Sequence, residues 1–470
     1  MNFLRCSLIF SLIGFWPGLT WAAEISGAQL SPLWGVPFAG LLLSIALFPL
    51  LAPIVWHHQY GKVTASWALA FLLPFSFVFG ASTAVISTVH ALLAEYLPFI
   101  ILLTALYTVA GGIFIRGNLH GSPGVNTSIL AIGAVLASVM GTTGASMLMV
   151  RPLIRANDNR VHKAHVLVFF IFIVSNAGGS LTPLGDPPLF LGFLMGVDFF
   201  WTMSHIFPET LFLIGALLLI FYGLDWWFYH HREEVLAVDP TPDTQRIGFD
   251  GVFNFWLLGC VVVLVLISGF WKSPVVFDVF GTEVGLPGLV RDAGLIVVTL
   301  FSLWGTPAQV HDDNQFSWAP MQEVAKLFAG IFLTIIPVIA MLKAGANGPF
   351  GAVVSAVTRP DGSPDPVMYF WITGLLSSFL DNAPTYLLFF NTAGGDPSVL
   401  MTTLAPTLAA ISAGAVFMGA NSYIGNAPNL MVKAIAEDRG VKMPSFFGYM
   451  GWSSAILIPL FIIITFIWFR

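Results

Sequence analysis

Ser175-Asn176-Ala177-Gly178-Gly179-Ser180-Leu181-Thr182-Pro183-Leu184-Gly185-Asp186-Pro187-Pro188 is the run that decides how this chain folds. It sits in the middle of an apolar segment, 165–203, longer than the ~20 residues that one membrane-spanning helix needs. The run cannot stay helical, because prolines remove backbone donors and each glycine costs a helix about 1 kcal/mol relative to alanine. Unwound backbone at membrane depth must face protein or a wet cavity, since lipid satisfies no polar group. The freed carbonyls are hard oxygen ligands for a cation. Asn176, Ser180 and Thr182 add side-chain oxygens, and Asp186 adds a full negative charge.

The rest of the chain supplies the membrane context. Of its 470 residues 57% are hydrophobic and only 9% charged, with a mean hydropathy of +0.86. Soluble domains carry roughly a quarter charged residues. Apolar runs such as Val36–Trp56, Leu211–Phe228 and Phe447–Phe469 are continuous, without the alternation of ~10-residue barrel strands. The expected fold class is therefore an all-α polytopic membrane protein. Two cysteines, Cys6 and Cys260, lie in apolar runs and argue against a disulfide framework or a cysteine metal site. The one basic cluster, Arg151 to Lys163, reads as a cytoplasmic loop and not as a nucleic-acid surface. No zinc helix motif, Ser/His/Asp set or cofactor loop stands out, so the sequence points to transport and not to enzymatic chemistry.

Full crossings are expected near 36–56, 64–92, 97–115, 165–203, 209–229, 251–270, 290–306, 324–344, 399–435 and 446–469. Segments 126–155 and 367–394 are expected to be re-entrant hairpins. Residues 1–23 read equally as a cleaved signal peptide or a signal-anchor helix, and both readings place Glu24 outside. Alternating from there puts 13 of the 18 Lys and Arg inside. That bias holds only if both hairpins enter and leave on one side. Residues 230–250, with Pro240 and Pro242, read as a cytoplasmic linker between two halves, 36–229 and 251–469.

The halves repeat. Gly419…Gly425-Asn426-Ala427-Pro428-Asn429 resembles Gly179…Gly185-Asp186-Pro187-Pro188-Leu189, with Gly185/Gly425 and Pro188/Pro428 both 240 residues apart. The same offset lays Ser138 on Ser378, Thr142 on Asn382 and Leu148 on Leu388. Five crossings separate the two hairpins, and an odd number inverts the second copy. Inverted repeats, each with a re-entrant hairpin and a broken transmembrane helix, are the plan of secondary transporters that work by alternating access.

The candidate site follows from that plan. Hairpin tips are expected at Gly141-Thr142-Thr143-Gly144 and Asp381-Asn382-Ala383-Pro384-Thr385, each facing the break of its own repeat. Thr142, Thr143, Asn382, Thr385, Asn421, Ser422 and Asn426 join Asn176, Ser180 and Thr182 as cation- or substrate-binding candidates. Asp186 and Asp381 are the two intramembrane acids, and such groups are costly and usually functional. Each also has an ordinary reading as a cap at a broken-helix terminus. As Na⁺ ligands they would let a proton and a cation compete for one carboxylate. Na⁺ and/or H⁺ is the expected coupling ion, with no other cofactor. His165 and Asp225 read as interfacial residues.

These motifs resemble the ion transporter superfamily, which includes D-type sodium/proton antiporters, arsenite-pump membrane subunits, citrate–metal transporters and dicarboxylate/sodium symporters. Ser175–Gly179 through Thr182–Asp186 is similar to the corresponding stretch of the D-type antiporters. Asp381-Asn382 with Ala383-Pro384-Thr385 resembles the hairpin tip of those antiporters and of the citrate transporters. The Asp186-Pro187-Pro188 ending resembles a bacterial subgroup of citrate transporters. Two departures are the Gly141–Gly144 tip, which lacks the usual Asn/Asp-rich or Ser-Asn-Thr pattern, and Asn421-Ser422 in place of Ser-Asn-Thr. The resemblance, over about 36–469, implies a scaffold domain, a mobile transport domain, a homodimer and a bacterial inner-membrane location. Sodium/proton antiport is the leading expectation from the two acids, and ion-coupled transport of citrate or a related carboxylate is the alternative.

Overall fold

Helices built from the apolar runs make up most of the described residues. The computed structural model describes residues 26–117, 119–231 and 247–470. Segment 1–23, and residues 232–246 of the expected linker, lie outside the described residues. The outer faces of the helices carry apolar side chains, with Phe77 and Trp304 almost fully exposed, as a protein solvated by lipid requires. Among the described residues nine helices are long and apolar enough to cross a bilayer, and a bent pair, Ala319–Thr334 and Ile336–Lys343, meets the same requirement when taken together. The chain is a multi-pass, all-α membrane protein.

Several boundaries differ from those expected. The first three passages run Val36–Leu51, Pro53–Phe79 and Ala81–Gly111. The polar run His57–Lys62 is therefore helical and not a loop. Within it the Tyr60 ring lies under Lys326, and just before it Trp56 donates to Glu323 at 3.1 Å. The residues around Glu95 stay helical through a π turn, Ala91–Tyr96. Trp201–His231 is one helix with Pro208 inside it, so Glu209 does not open a helix. Two small ribbons interrupt the helical pattern. Phe114–Arg116 pairs with Gly248–Asp250 at the end of the linker, and Val276–Val279 pairs with Thr282–Gly285.

The two hairpins are closed at their outer ends. Helices Pro123–Met140 and Thr142–Ala156 join at Gly141, whose φ of 82° is a left-handed conformation that favours glycine. At their far ends Asn126 and Asn157 exchange amide hydrogen bonds of 2.9 and 2.8 Å. The first hairpin thus returns to the side from which it starts, although Pro123–Met140 alone is long enough to cross. The second hairpin, Pro366–Ser377 and Asn382–Thr392, has arms too short to span ~30 Å of hydrocarbon. Tyr369 near its entry packs edge-on against Phe389 near its exit.

Their orientations are opposite. The open end of the first hairpin lies beside His165, at the start of the first broken helix. The chain leaving the second hairpin, Pro397–Met401, lies beside Gly196 and Trp201, past that helix's other end. There Trp201 Nε1 donates to the Met401 carbonyl at 3.0 Å. Around these elements, Pro53–Phe79 packs on Ala319–Thr334, and Leu97–Gly111 packs on Phe253–Phe270 and Leu286–Gly305, so the outer helices of the two halves interlock.

Asp225 and His165 are both buried inside the protein. Asp225 is fully buried and receives Arg160 (2.8 Å), His165 Nε2 (2.8 Å) and Asn126 (3.0 Å). This network ties the base of the first hairpin to helix Trp201–His231. Asp225→Ala removes the charge opposite a buried arginine and is expected to cost about 3–5 kcal/mol. Thermal unfolding of the purified protein in detergent checks this, and a midpoint equal to wild type would show that the cluster holds nothing.

Candidate transport site at the crossing of the two breaks

Both apolar segments containing the Gly/Pro runs are broken where the sequence requires. Helix Ala164–Ile173 gives way to a 3-10 turn at Ala177–Leu181, and helix restarts at Pro187–Leu194. Ala405–Met418 likewise passes through Gly419–Asn421 to Ala427–Asp438. Bonding in the two breaks matches at the 240-residue offset. Thr182 donates to the Ser138 carbonyl and Ser422 to the Ser378 carbonyl. Ser138 donates to Gly178 O, and Ser378 to Met418 O. In each copy one glycine backbone rests on another, Gly185 on Gly179 and Gly425 on Gly419.

Asp186 is the N-terminal boundary residue of Pro187–Leu194, yet its side chain does not cap that helix. With 1% exposure, its carboxylate instead gathers donors from three other elements. Thr142 Oγ1 donates at 2.9 Å from the first hairpin tip and Asn426 Nδ2 at 3.3 Å from the second break; Asn382 Nδ2 donates from the second hairpin tip. Thr142 N also bonds the Gly185 carbonyl at 2.8 Å. Asn426 further reaches Ser175 O and Asn176 Oδ1. Asn176 Nδ2 donates to Asn429 Oδ1 at 2.8 Å, and Asn429 Nδ2 bonds the carbonyls of Gly419 and Ser422. The second arms cross between repeats, with Asn382–Thr392 on Pro187–Leu194 and Thr142–Ala156 on Ala427–Asp438. Each tip therefore engages both breaks and not its own alone.

Asp186, Thr142, Asn382, Asn426 and Asn176 thus form one buried network, and other candidates fall outside it. Asp381 caps its own helix, accepting from Ala383 N at 3.2 Å, and Thr385 folds back onto the Asp381 carbonyl. Ser180 bonds Ala177 O and Thr210, facing helix Trp201–His231. Thr182 and Ser422 tie the hairpins to the breaks, and Asn421 Nδ2 donates to Ser378 Oγ. Asp381 caps its helix, whereas Asp186 caps none and takes donors from three other elements. Asn429 was missed as a site residue. Its only signal was an amide after Pro428 where the first copy has Leu189.

A cavity of about 80 Å³ opens beside Asp186. Thr142, Thr143, Gly185, Asp186 and Ala427 line one wall, and Leu103, Leu106, Tyr107, Met321 and Val324 of the outer helices form the other. Helices beginning at Thr142, Pro187 and Ala427 start at the cavity wall, and the one beginning at Asn382 reaches Asp186 through that residue's amide. Helix N-termini carry partial positive charge and free N–H donors. Among the described residues no Lys or Arg lines the cavity. The buried acceptors Asn382 Oδ1 and Asn421 Oδ1, both at the second hairpin and its break, have no donor.

Two crossed breaks and two opposed hairpin tips, meeting at one buried acid, define a secondary transporter. A family model described as "Putative citrate transport" matches residues 27–469. The chain belongs to that family. It is also similar to an uncharacterized transporter of Mycobacterium bovis, 24% identical over 331 residues, or 68% of this chain and 71% of that protein. A 46 kDa membrane protein of Mycobacterium leprae is 24% identical over 335 residues, with the same coverage of each chain.

Proposed function

We propose that this chain carries a carboxylate of the citrate class across the bacterial inner membrane together with Na⁺ or H⁺. One observation carries the reading: three side-chain donors, from residues at the starts of three helices, reach a single buried carboxylate that itself precedes a fourth, and among the described residues no basic side chain lines the cavity beside it. Such a cradle suits carboxylates in general. Asp186 fills it here, and a substrate carboxylate would compete for the same donors once the tips draw back from the apolar wall. Room on the order of a few water molecules has to widen to admit citrate. The donorless oxygens of Asn382, which follows Asp381, and of Asn421, whose amide reaches Ser378 of the same hairpin, are the groups for the coupling cation. The family description and the bacterial relatives support this reading.

Sodium/proton antiport is the second reading, favoured by the ion-sized cavity, where Asp186 is the one charged group among the described residues. Proteoliposomes separate the two. Uptake of labelled citrate driven by a Na⁺ or proton gradient supports the first. A Na⁺-dependent pH change inside the vesicles with no organic substrate supports the second and overturns the first.

Asp381→Asn is expected to abolish coupled transport while the protein stays folded. Asparagine caps a helix about as well as aspartate, so the exchange removes charge and little else. Wild-type uptake with unchanged gradient dependence would take Asp381 out of the mechanism.

A further inference from the structure

Far from the breaks, a second cavity of about 480 Å³ opens where the first broken helix begins. It lies between the start of Ala164–Ile173, the end of Trp201–His231, the turn Gly440–Lys442 and the last long helix. His162, Lys163 and Lys442 bring basic groups to it and Phe228 and Trp452 bring aromatic walls; among the described residues no carboxylate lines it, and Lys163 Nζ also donates to the Asp158 carbonyl at 3.3 Å. Three points separate it from an ordinary basic loop. Its volume lies in the range of small-molecule sites, roughly 300–1,000 Å³. The first turn of Ala164–Ile173 lines it, adding the positive end of a helix to the side-chain charge. Its floor is fixed, since His165 is held by Asp225 at 2.8 Å and stacks on Phe228 with ring centroids 4.6 Å apart.

We propose that this cavity binds a phosphate group, with Lys163 and Lys442 as its principal ligands and Trp452 at its edge. Basic pockets between membrane helices suit anionic headgroups, and tryptophan is enriched at headgroup depth. A phospholipid phosphodiester and free inorganic phosphate present the same oxygens. The floor joins the cavity to the Asp225 network at the base of the first hairpin, so a bound phosphate would brace the hairpin that carries Thr142.

Thermal unfolding of the full-length protein in neutral detergent tests this, titrated separately with a short-chain phosphatidylglycerol, the matching phosphatidylcholine and inorganic phosphate. A saturable rise in midpoint with phosphatidylglycerol and not with phosphatidylcholine is expected. Apparent affinity should fall roughly fivefold for each lysine removed, in Lys442→Gln and then in Lys163→Gln/Lys442→Gln. Lys442 is exposed, so the single variant keeps the test open if the double variant does not fold. A Lys272→Gln control should titrate as wild type. Saturation by inorganic phosphate at equal concentration assigns the site to a small anion in place of a lipid and keeps the phosphate group as ligand. No saturable shift with either anion, or an unchanged titration in Lys442→Gln, overturns the proposal.

Discussion

Asp186→Asn is expected to lower transport roughly a hundredfold while leaving a folded protein. Three side chains, Thr142, Asn382 and Asn426, donate to the Asp186 carboxylate from three different elements. A carboxylate accepts on both oxygens, whereas an amide accepts on one and donates on the other. In the variant one NH₂ must therefore face the NH₂ of Asn382 or the donors on the other oxygen. Hydrogen bonds to a charged group contribute about 1.5–3 kcal/mol each, and losing one or two gives the stated factor. Two measurements are needed: initial uptake rate in proteoliposomes, and the thermal midpoint in detergent. Unchanged uptake with an unchanged dependence on external pH would make Asp186 a structural residue. The same loss of uptake with a collapsed midpoint would point to the same conclusion.

Gly185→Ala should abolish transport through backbone geometry alone. A Cβ at this position would stand 2.2 Å from the Gly179 carbonyl oxygen and 2.8 Å from its carbon. Neither is the end of a flexible side chain, so the two strands of the break must separate. Overpacking a core costs about 1–3 kcal/mol where side chains can adjust, and here the backbone must move. Separation carries the Gly185 carbonyl away from Thr142 N and turns Asp186 out of its cradle. Gly425→Ala meets Gly419 O at 2.5 Å and should behave alike. Gly215→Ala is the control. Nothing lies within 4 Å of its added carbon, and alanine favours a helix interior over glycine by up to about 1 kcal/mol. Uptake in Gly185→Ala equal to that in Gly215→Ala would show that the close approach of the two glycines is dispensable.

The sequence determined the membrane setting, the two interrupted helices, the two hairpins and the 240-residue register between copies. These follow from local chemistry: apolar length sets a passage, Gly and Pro end a helix, and a duplicated segment repeats its own turn residues. Loop boundaries were less legible. His57–Lys62 and Trp201–His205 look polar or interfacial in one dimension, yet both lie in long helices against distant partners, Lys326 over the Tyr60 ring for the first and the Met401 carbonyl on Trp201 for the second. The tertiary structure alone decided which acid the cradle surrounds. Asp186 and Asp381 both precede a helix, and only the crossing of the two repeats brings Asn382 and Asn426 to Asp186 and leaves Asp381 to cap its own turn. It also made the Asp225 cluster out of residues far apart along the chain. Long-range pairing of this kind depends on how rigid elements stack in space, and residue order carries little record of that.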